Sequence, residues 1–178
     1  MTKKRKLELK DTVTIGVLAG MCAIATSIKI PLGVGAMVHL GTAFMFTVAI
    51  IFGGVYAGLS AAIGSAFFDL LMGFSPYTPW SFVIKGTAGL IAGAIAHGFW
   101  PQDATASPVA RGHWIFRATL GCIAAAAWTL GGYIIAWWQV TGSLTVAFAN
   151  MPASLLTSSV GLIVALFLAP RLQKALKR

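Results

Sequence analysis

The chain has 178 residues, of which 58% are hydrophobic and only 10% charged, and its mean hydropathy is +0.85. A soluble domain carries about 25% charged residues, and a globule of this size cannot hide so much apolar surface inside itself, so an ordinary soluble fold is excluded and the bilayer has to act as solvent. The net charge of +9 does not indicate nucleic acid, because the basic residues are gathered where one face of a membrane would collect them.

Lys3, Lys4, Arg5, Lys6 and Lys10 precede the first apolar run. Arg111 and Arg117 flank one interior connection, and Arg171, Lys174, Lys177 and Arg178 close the chain. This is the positive-inside arrangement and places both termini in the cytoplasm; the basic tails can also meet anionic lipid headgroups. The first helix is expected over about 12–28. Its basic start and Ala23-Ile24-Ala25 imitate a secretory signal, but cleavage would discard a stripe of small residues. Gly16, Ala19, Gly20, Ala23 and Ser27 fall on one helix face and let another helix approach closely. That helix belongs either to this chain or to a separate subunit; periodicity alone leaves both open. Cys22 and Cys122 lie in apolar runs and read as inert buried thiols rather than a disulfide.

Pro31, Gly33 and Gly35 then break the helix. The segment is too apolar for a solvated loop and is expected to fold back as a lid, ending at His39, which either caps the next helix or meets a ligand. The apolar run from Leu40 to Met72 is too long for one span of about 20 residues, so two helices are expected, over about 40–53 and 55–72, joined at Gly53-Gly54. The second carries a small-residue face, Gly58, Ala61, Ala62 and Ser65, that ends at Asp69. Thr78-Pro79 starts the next helix, over about 79–98, since proline suits a first turn; Gly86, Gly89, Gly93 and Ala96 form a third stripe beside Lys85. The loop from Trp100 to Pro108 is polar and soluble-looking, and His97, Trp100, His113 and Trp114 around it read as interfacial residues. The last two helices are expected over about 113–138 and 144–169, the sixth interrupted at Asn150-Met-Pro152 and stopped by Pro170. The sum is an all-α integral membrane protein, a single membrane domain over 1–178 with six transmembrane helices, both termini inside.

Asp69 and Lys85 lie on adjacent antiparallel helices, roughly 6–9 Å below their outer ends. Charges at that depth are expensive and are paired or face a cavity. A structural Asp–Lys pair and a polar floor for a ligand are both open. Tyr77, Trp80, Tyr133 and Trp137 cluster at the same level, where inward rings would stack on a flat heterocycle. Trp128, Asn150, Ser154 and His39 complete the candidate substrate-binding set. Of Trp137 and Trp138 only one is expected to face inward, since neighbours on a helix point apart. The sequence contains no GxxxxGK[ST] loop, no HExxH and no nucleophile–base set, and ion-coupled transporters are usually built from inverted repeats. A binding subunit energised from elsewhere fits best, with a solitary facilitator, a membrane scaffold and, last, an enzyme as the alternatives. Neither a cofactor nor a metal is expected.

Phe52-Gly-Gly-Val-Tyr-Ala-Gly, Asp69-Leu-Leu, Pro79-Trp-Ser-Phe-Val-Ile-Lys85-Gly86 and Gly89-Leu-Ile-Ala-Gly93, with Ala19-x-x-x-Ala23 in the first helix, carry a family resemblance. Over its whole length the chain resembles the substrate-binding S component of energy-coupling factor (ECF) vitamin transporters. The resemblance implies a six-helix subunit of a bacterial cell membrane that captures a vitamin-type small molecule at the outer face. It also implies partners: a transmembrane coupling subunit (the T component), docked through the face of Gly16, Ala19, Gly20 and Ala23, and two ATPase subunits. In the sixth helix Pro152-Ala-Ser154-Leu-Leu-Thr157 stands where many relatives carry a Pro-x-Asn-x-x-Gln-like run, so hydroxyls replace amides. The chain is most similar to the hydroxymethylpyrimidine and vitamin B6 group, with riboflavin, pantothenate and queuosine-type ligands as alternatives.

Overall fold

The computed structural model describes residues 7–31, 37–100 and 113–176. Seven helices are found there: α1 Leu9–Ser27, α2 Gly41–Phe52, α3 Gly54–Leu71, α4 Thr78–Ala96, α5 Trp114–Thr141, α6 Leu144–Ala149 and α7 Met151–Leu176. Five segments, with α6 and α7 taken together, are long and apolar enough to cross a membrane. The protein is therefore an all-α membrane bundle apart from one short hairpin. Most of the polar connection between α4 and α5, the glycine-rich centre of the lid segment (32–36) and most of the terminal basic residues lie outside the described residues.

The exception to the membrane-crossing lengths is α2. At 12 residues it is about 18 Å long, against an apolar bilayer core of about 30 Å. It does not need the missing length, because nearly every residue from Gly41 to Ile51 is buried. A helix apolar on all sides belongs inside the protein, and α2 packs against α1, α3, α4 and α7 at once. Met45, Phe46 and Ile50 are the largest of its fully buried side chains.

The small-residue stripes on α3 and α4 face each other. A Cβ added at Gly89 would lie 2.6 Å from the Ala57 carbonyl oxygen, and one at Gly58 would lie 2.9 Å from that of Gly86. Backbone therefore meets backbone, which is how helices adhere where lipid removes the hydrophobic drive. At the end where α2 meets α3, Gly53 adopts φ +88°, a value that favours glycine. This lets the Gly54 and Val55 amides donate to the Gly98 and Phe99 carbonyls, each at 2.9 Å. His97 is buried with Nδ1 3.1 Å from the Ile50 carbonyl, and Trp100 packs against the core.

Two expectations need correction and one is refined. The segment after α1 is not a plain loop: β1 Lys29–Pro31 pairs antiparallel with β2 Met37–His39, in the register Lys29 to His39 and Pro31 to Met37. The interruption expected at Asn150-Met-Pro152 is present and divides the segment into α6 and α7. Pro152 has no N–H to bond the Phe148 carbonyl and its ring would clash there, so the chain turns at Asn150 and restarts with Ser154 donating to the Asn150 carbonyl. Pro170 does not stop α7, which runs on to Leu176. Ala165 and Ala169, in the turn that leads into Pro170, are fully buried, so tertiary packing outweighs the lost hydrogen bond.

The α1 stripe divides. Ala19 and Ala23 are buried, and a Cβ on Gly64 of α3 would lie 2.6 Å from the Ala19 carbonyl oxygen. Gly16 and Gly20 have nothing within 4 Å of an added Cβ. Gly89→Ala should therefore lower stability by about 1–3 kcal/mol through overpacking, whereas Gly20→Ala should leave thermal melts in detergent unchanged or slightly raised. Equal shifts for the two variants would contradict the packing described.

Candidate functional site: a polar cavity beneath the hairpin

All seven α-helices and β2 converge at the end of the bundle that carries the hairpin, and they line a cavity of about 250 Å³. Its floor is polar because α2, α3 and α4 each bring a polar side chain inside. Thr42 stands in the first turn of α2, Asp69 in the last turn of α3 and Lys85 two turns into α4. The aromatic wall comes from α5, where Tyr133 and Trp137 lie one turn apart with ring centroids at 5.5 Å. The α6–α7 break brings Asn150 and Ser154 to the same space.

Lys85 is 6% exposed. Its ammonium donates to Thr42 Oγ1 at 3.1 Å and sits 5.5 Å from the centre of the Tyr133 ring. Asp69, 7% exposed, makes no ion pair with Lys85 or with any other described residue, and its Oδ2 is buried without a hydrogen-bond partner. Of the two readings the sequence left open, a direct structural pair is absent. Ser81 Oγ is 3.0 Å from Tyr133 Oη and joins α4 to α5 beside Asp69.

The hairpin forms the roof. Met37 and His39 line the cavity, and Thr157 Oγ1 donates to the Met37 carbonyl at 3.2 Å, tying β2 to α7. At the start of β1, the Lys29 ammonium lies 5.1 Å from the Phe68 ring centre and 5.5 Å from that of Phe74, which pins the hairpin to the end of α3 by cation–π attraction. His39 does both things expected of it. Nδ1 accepts from the Gly41 amide at 3.2 Å, capping α2, and the ring faces the cavity. Burial, then the positive charges of Lys85 and Lys29, pushes His39 down to about 3. It is therefore neutral at physiological pH, with its proton on Nε2.

Eight of the ten expected site residues line the cavity: His39, Asp69, Tyr77, Lys85, Tyr133, Trp137, Asn150 and Ser154. Two do not. Trp128 is 44% exposed on the outer face of α5, and Trp80 is half-buried on α4 outside the cavity. Trp137 faces in while Trp138 is exposed. The sequence reading missed most of the hydroxyl lining: Thr26, Thr42, Ser81 and Thr129 are single polar residues inside apolar helices, and that isolation was the available signal. Among the described residues no cluster of three or more His, Cys, Asp or Glu side chains could hold a metal.

A membrane bundle with a polar cavity at its end defines a small-molecule-binding membrane protein. The comparisons make this more specific. The family model described as "ECF-type riboflavin transporter, S component" matches residues 6–177. The chain belongs to this family of ECF transporter S components, which is a transporter family and not an enzyme family. No curated protein matches the chain at a significant level. One solved structure, described as "Structure and mechanism of the S component of a bacterial ECF transporter", superimposes with a TM-score of 0.62 at 20% identity over 95% of this chain and 98% of that one. At that identity the likeness concerns the fold.

A double-mutant cycle of Thr42→Val and Lys85→Met should give a coupling energy of about 1–3 kcal/mol, since Thr42→Val alone removes the ammonium's hydrogen-bond acceptor. Thermal melts of the unliganded protein measure it; simple additivity would mean that the contact holds nothing.

Proposed function

We propose that this protein is the substrate-capture subunit of an ECF-type importer for a small water-soluble vitamin or vitamin precursor, energised by separate ATPase subunits through a transmembrane coupling subunit. Family membership supports the role. The observation that carries the ligand site is the unpartnered carboxylate oxygen of Asp69 in a cavity that also holds the Lys85 ammonium. Leaving a buried polar atom unpaired costs about 1–3 kcal/mol, and a ligand donor would recover it.

The matching family model carries riboflavin in its description. The resemblance to the hydroxymethylpyrimidine and vitamin B6 group favours one substituted ring over a three-ring chromophore with a polyol tail. Such a ring would lie against Trp137 and Tyr133, with its substituents toward Asp69, Lys85, Asn150 and Ser154. Native mass spectrometry of the purified protein should release a single-ring species, and a riboflavin adduct would overturn the single-ring reading.

For the coupling subunit, the open part of the α1 face is the reading we favour. Gly16 and Gly20 are unobstructed and flanked by exposed Val13, Val17 and Ile24, while Ala19 and Ala23 stand behind them against α3. A both-termini-inside topology, which follows from the basic residues, would put the cavity at the outer face of a bacterial cell membrane. Gly16→Trp and Gly20→Trp should abolish co-purification with the coupling subunit and leave ligand binding within about twofold. Ala23→Trp should instead destabilise the subunit itself. Undiminished co-purification of both glycine variants would move the docking face elsewhere.

A further inference from the structure

The hairpin has a second side. Residues directly opposite on antiparallel strands share a face. Lys29 and His39 therefore stand on one side of it, and Ile30 and Val38 on the other. His39 lines the polar cavity, so Ile30 and Val38 point away from it. There they border an apolar groove, walled also by Ile28 just past the end of α1 and by Leu156 and Val160 on α7. Of the cavity's lining residues only His39 recurs in the groove. The groove is thus a separate space that backs onto the roof of the ligand site.

Its position and chemistry decide what fits it. The segments that carry α1 and α7 are both long and apolar enough to cross a membrane. Leu156 and Val160 lie roughly 7–14 Å along α7 from its start at Met151. The groove therefore runs from the level of the helix ends inward along α7, on a surface where Ile28, Ile30 and Leu156 are exposed. Lys29 also lines it. The Lys29 ammonium makes no ion pair among the described residues, and an ammonium has three donors, so its two ring contacts leave it able to meet an anion. An anionic lipid headgroup complements that charge at the helix-end level. A polypeptide would bring backbone N–H and C=O groups into a lining that offers them few partners, which is costly at membrane depth. An acyl chain brings none.

We propose that this groove is a phospholipid site: one acyl chain lies along Ile30, Val38, Leu156 and Val160, with the headgroup phosphate at Lys29. The chain packs on the back of β2, so the roof of the cavity is held between a polar chamber and a lipid chain. The site stands whichever small molecule the cavity takes.

The test uses the full chain, purified in mild detergent and supplied with palmitoyl-oleoyl phosphatidylglycerol or with phosphatidylcholine of the same chains. Native mass spectrometry should find one phospholipid retained per chain after loosely held lipid is stripped, with phosphatidylglycerol favoured about fivefold. Val160→Trp fills the inner end of the groove and displaces several methylenes, so retention should fall about tenfold or more. Ile123→Trp, exposed on α5 and remote from the groove's lining, should leave retention unchanged. Thermal melts show whether each variant folds, and Leu156→Trp stands in should Val160→Trp fail. Spin-labelled phosphatidylglycerol in bilayers gives a second reading: an immobilised component with the wild-type chain that Val160→Trp removes. No phospholipid retained by the wild-type chain overturns the site. Equal retention by the wild-type chain and both tryptophan variants, the mark of annular lipid only, overturns it too. Equal retention of the two lipids overturns the part given to Lys29 and leaves the acyl-chain groove.

Discussion

Lys85 places an ammonium inside a membrane bundle, and much of the architecture follows from keeping it there. A charge removed from water is tolerated only where hydrogen bonds and dipoles replace its hydration. Thr42 supplies the hydrogen bond and the Tyr133 ring supplies an electron-rich face. Thr42 can reach Lys85 only because α2 runs through the centre of the bundle, and α2 can run there because it is short and apolar on all sides. Gly161 helps from the far side: a Cβ there would stand 3.2 Å from Thr42 Cγ2, so its absence lets α7 press α2 inward. The close α3–α4 contact, glycine against backbone, then sets Asp69 and Lys85 on neighbouring walls.

That arrangement explains why the two charges do not simply neutralise each other. Lys85 is drawn toward α2 and α5, while Asp69 stays on α3 beside Ser81, with one oxygen free. A pair in direct contact would fill the space between them and satisfy both groups permanently. Held apart, they leave a donor and an acceptor facing one enclosed volume.

Much of this was legible in the sequence, for physical reasons. Asp69 and Lys85 stood out because lipid makes a lone charge conspicuous, and the glycine stripes because a 3.6-residue period survives any tertiary context. What periodicity cannot supply is the neighbour. The α1 stripe spans about 100° of arc, and the boundary between buried and open runs through it, separating Ala19 and Ala23 from Gly16 and Gly20. Trp128 and Trp80 failed as site residues for a related reason: an aromatic at the right depth still has a full circle of directions, and most of that circle faces lipid. Thr26 and Thr129 were overlooked because a hydroxyl bonded to its own helix one turn back costs the helix little and looks like any tolerated polar residue. The hairpin was read as a loop because its prolines and glycines mark breaks, while its pairing of Lys29 with His39 depends on contacts distant in sequence.

Below the cavity the bundle is sealed. Met45, Phe46 and Ile50 fill the centre at 1% exposure each, and the opposite end is stitched by backbone bonds from Gly54 and Val55 to Gly98 and Phe99. Tyr56 Oη donates to Asp11 there, joining α3 to α1. Interiors this closely packed do not open by small rotamer changes. A ligand in the cavity therefore has a polar chamber on one side and a solid hydrophobic core on the other. Passage through the middle would require separating α3 from α4, whose contact is backbone on backbone, with no long side chains to swing aside. At the other end, among the described residues, the two short strands of the roof are tied by two cation–π contacts from Lys29 and by the Thr157 hydroxyl. The polar chamber therefore lies against close-packed helices at its base and against the hairpin at its roof, two boundaries of different construction.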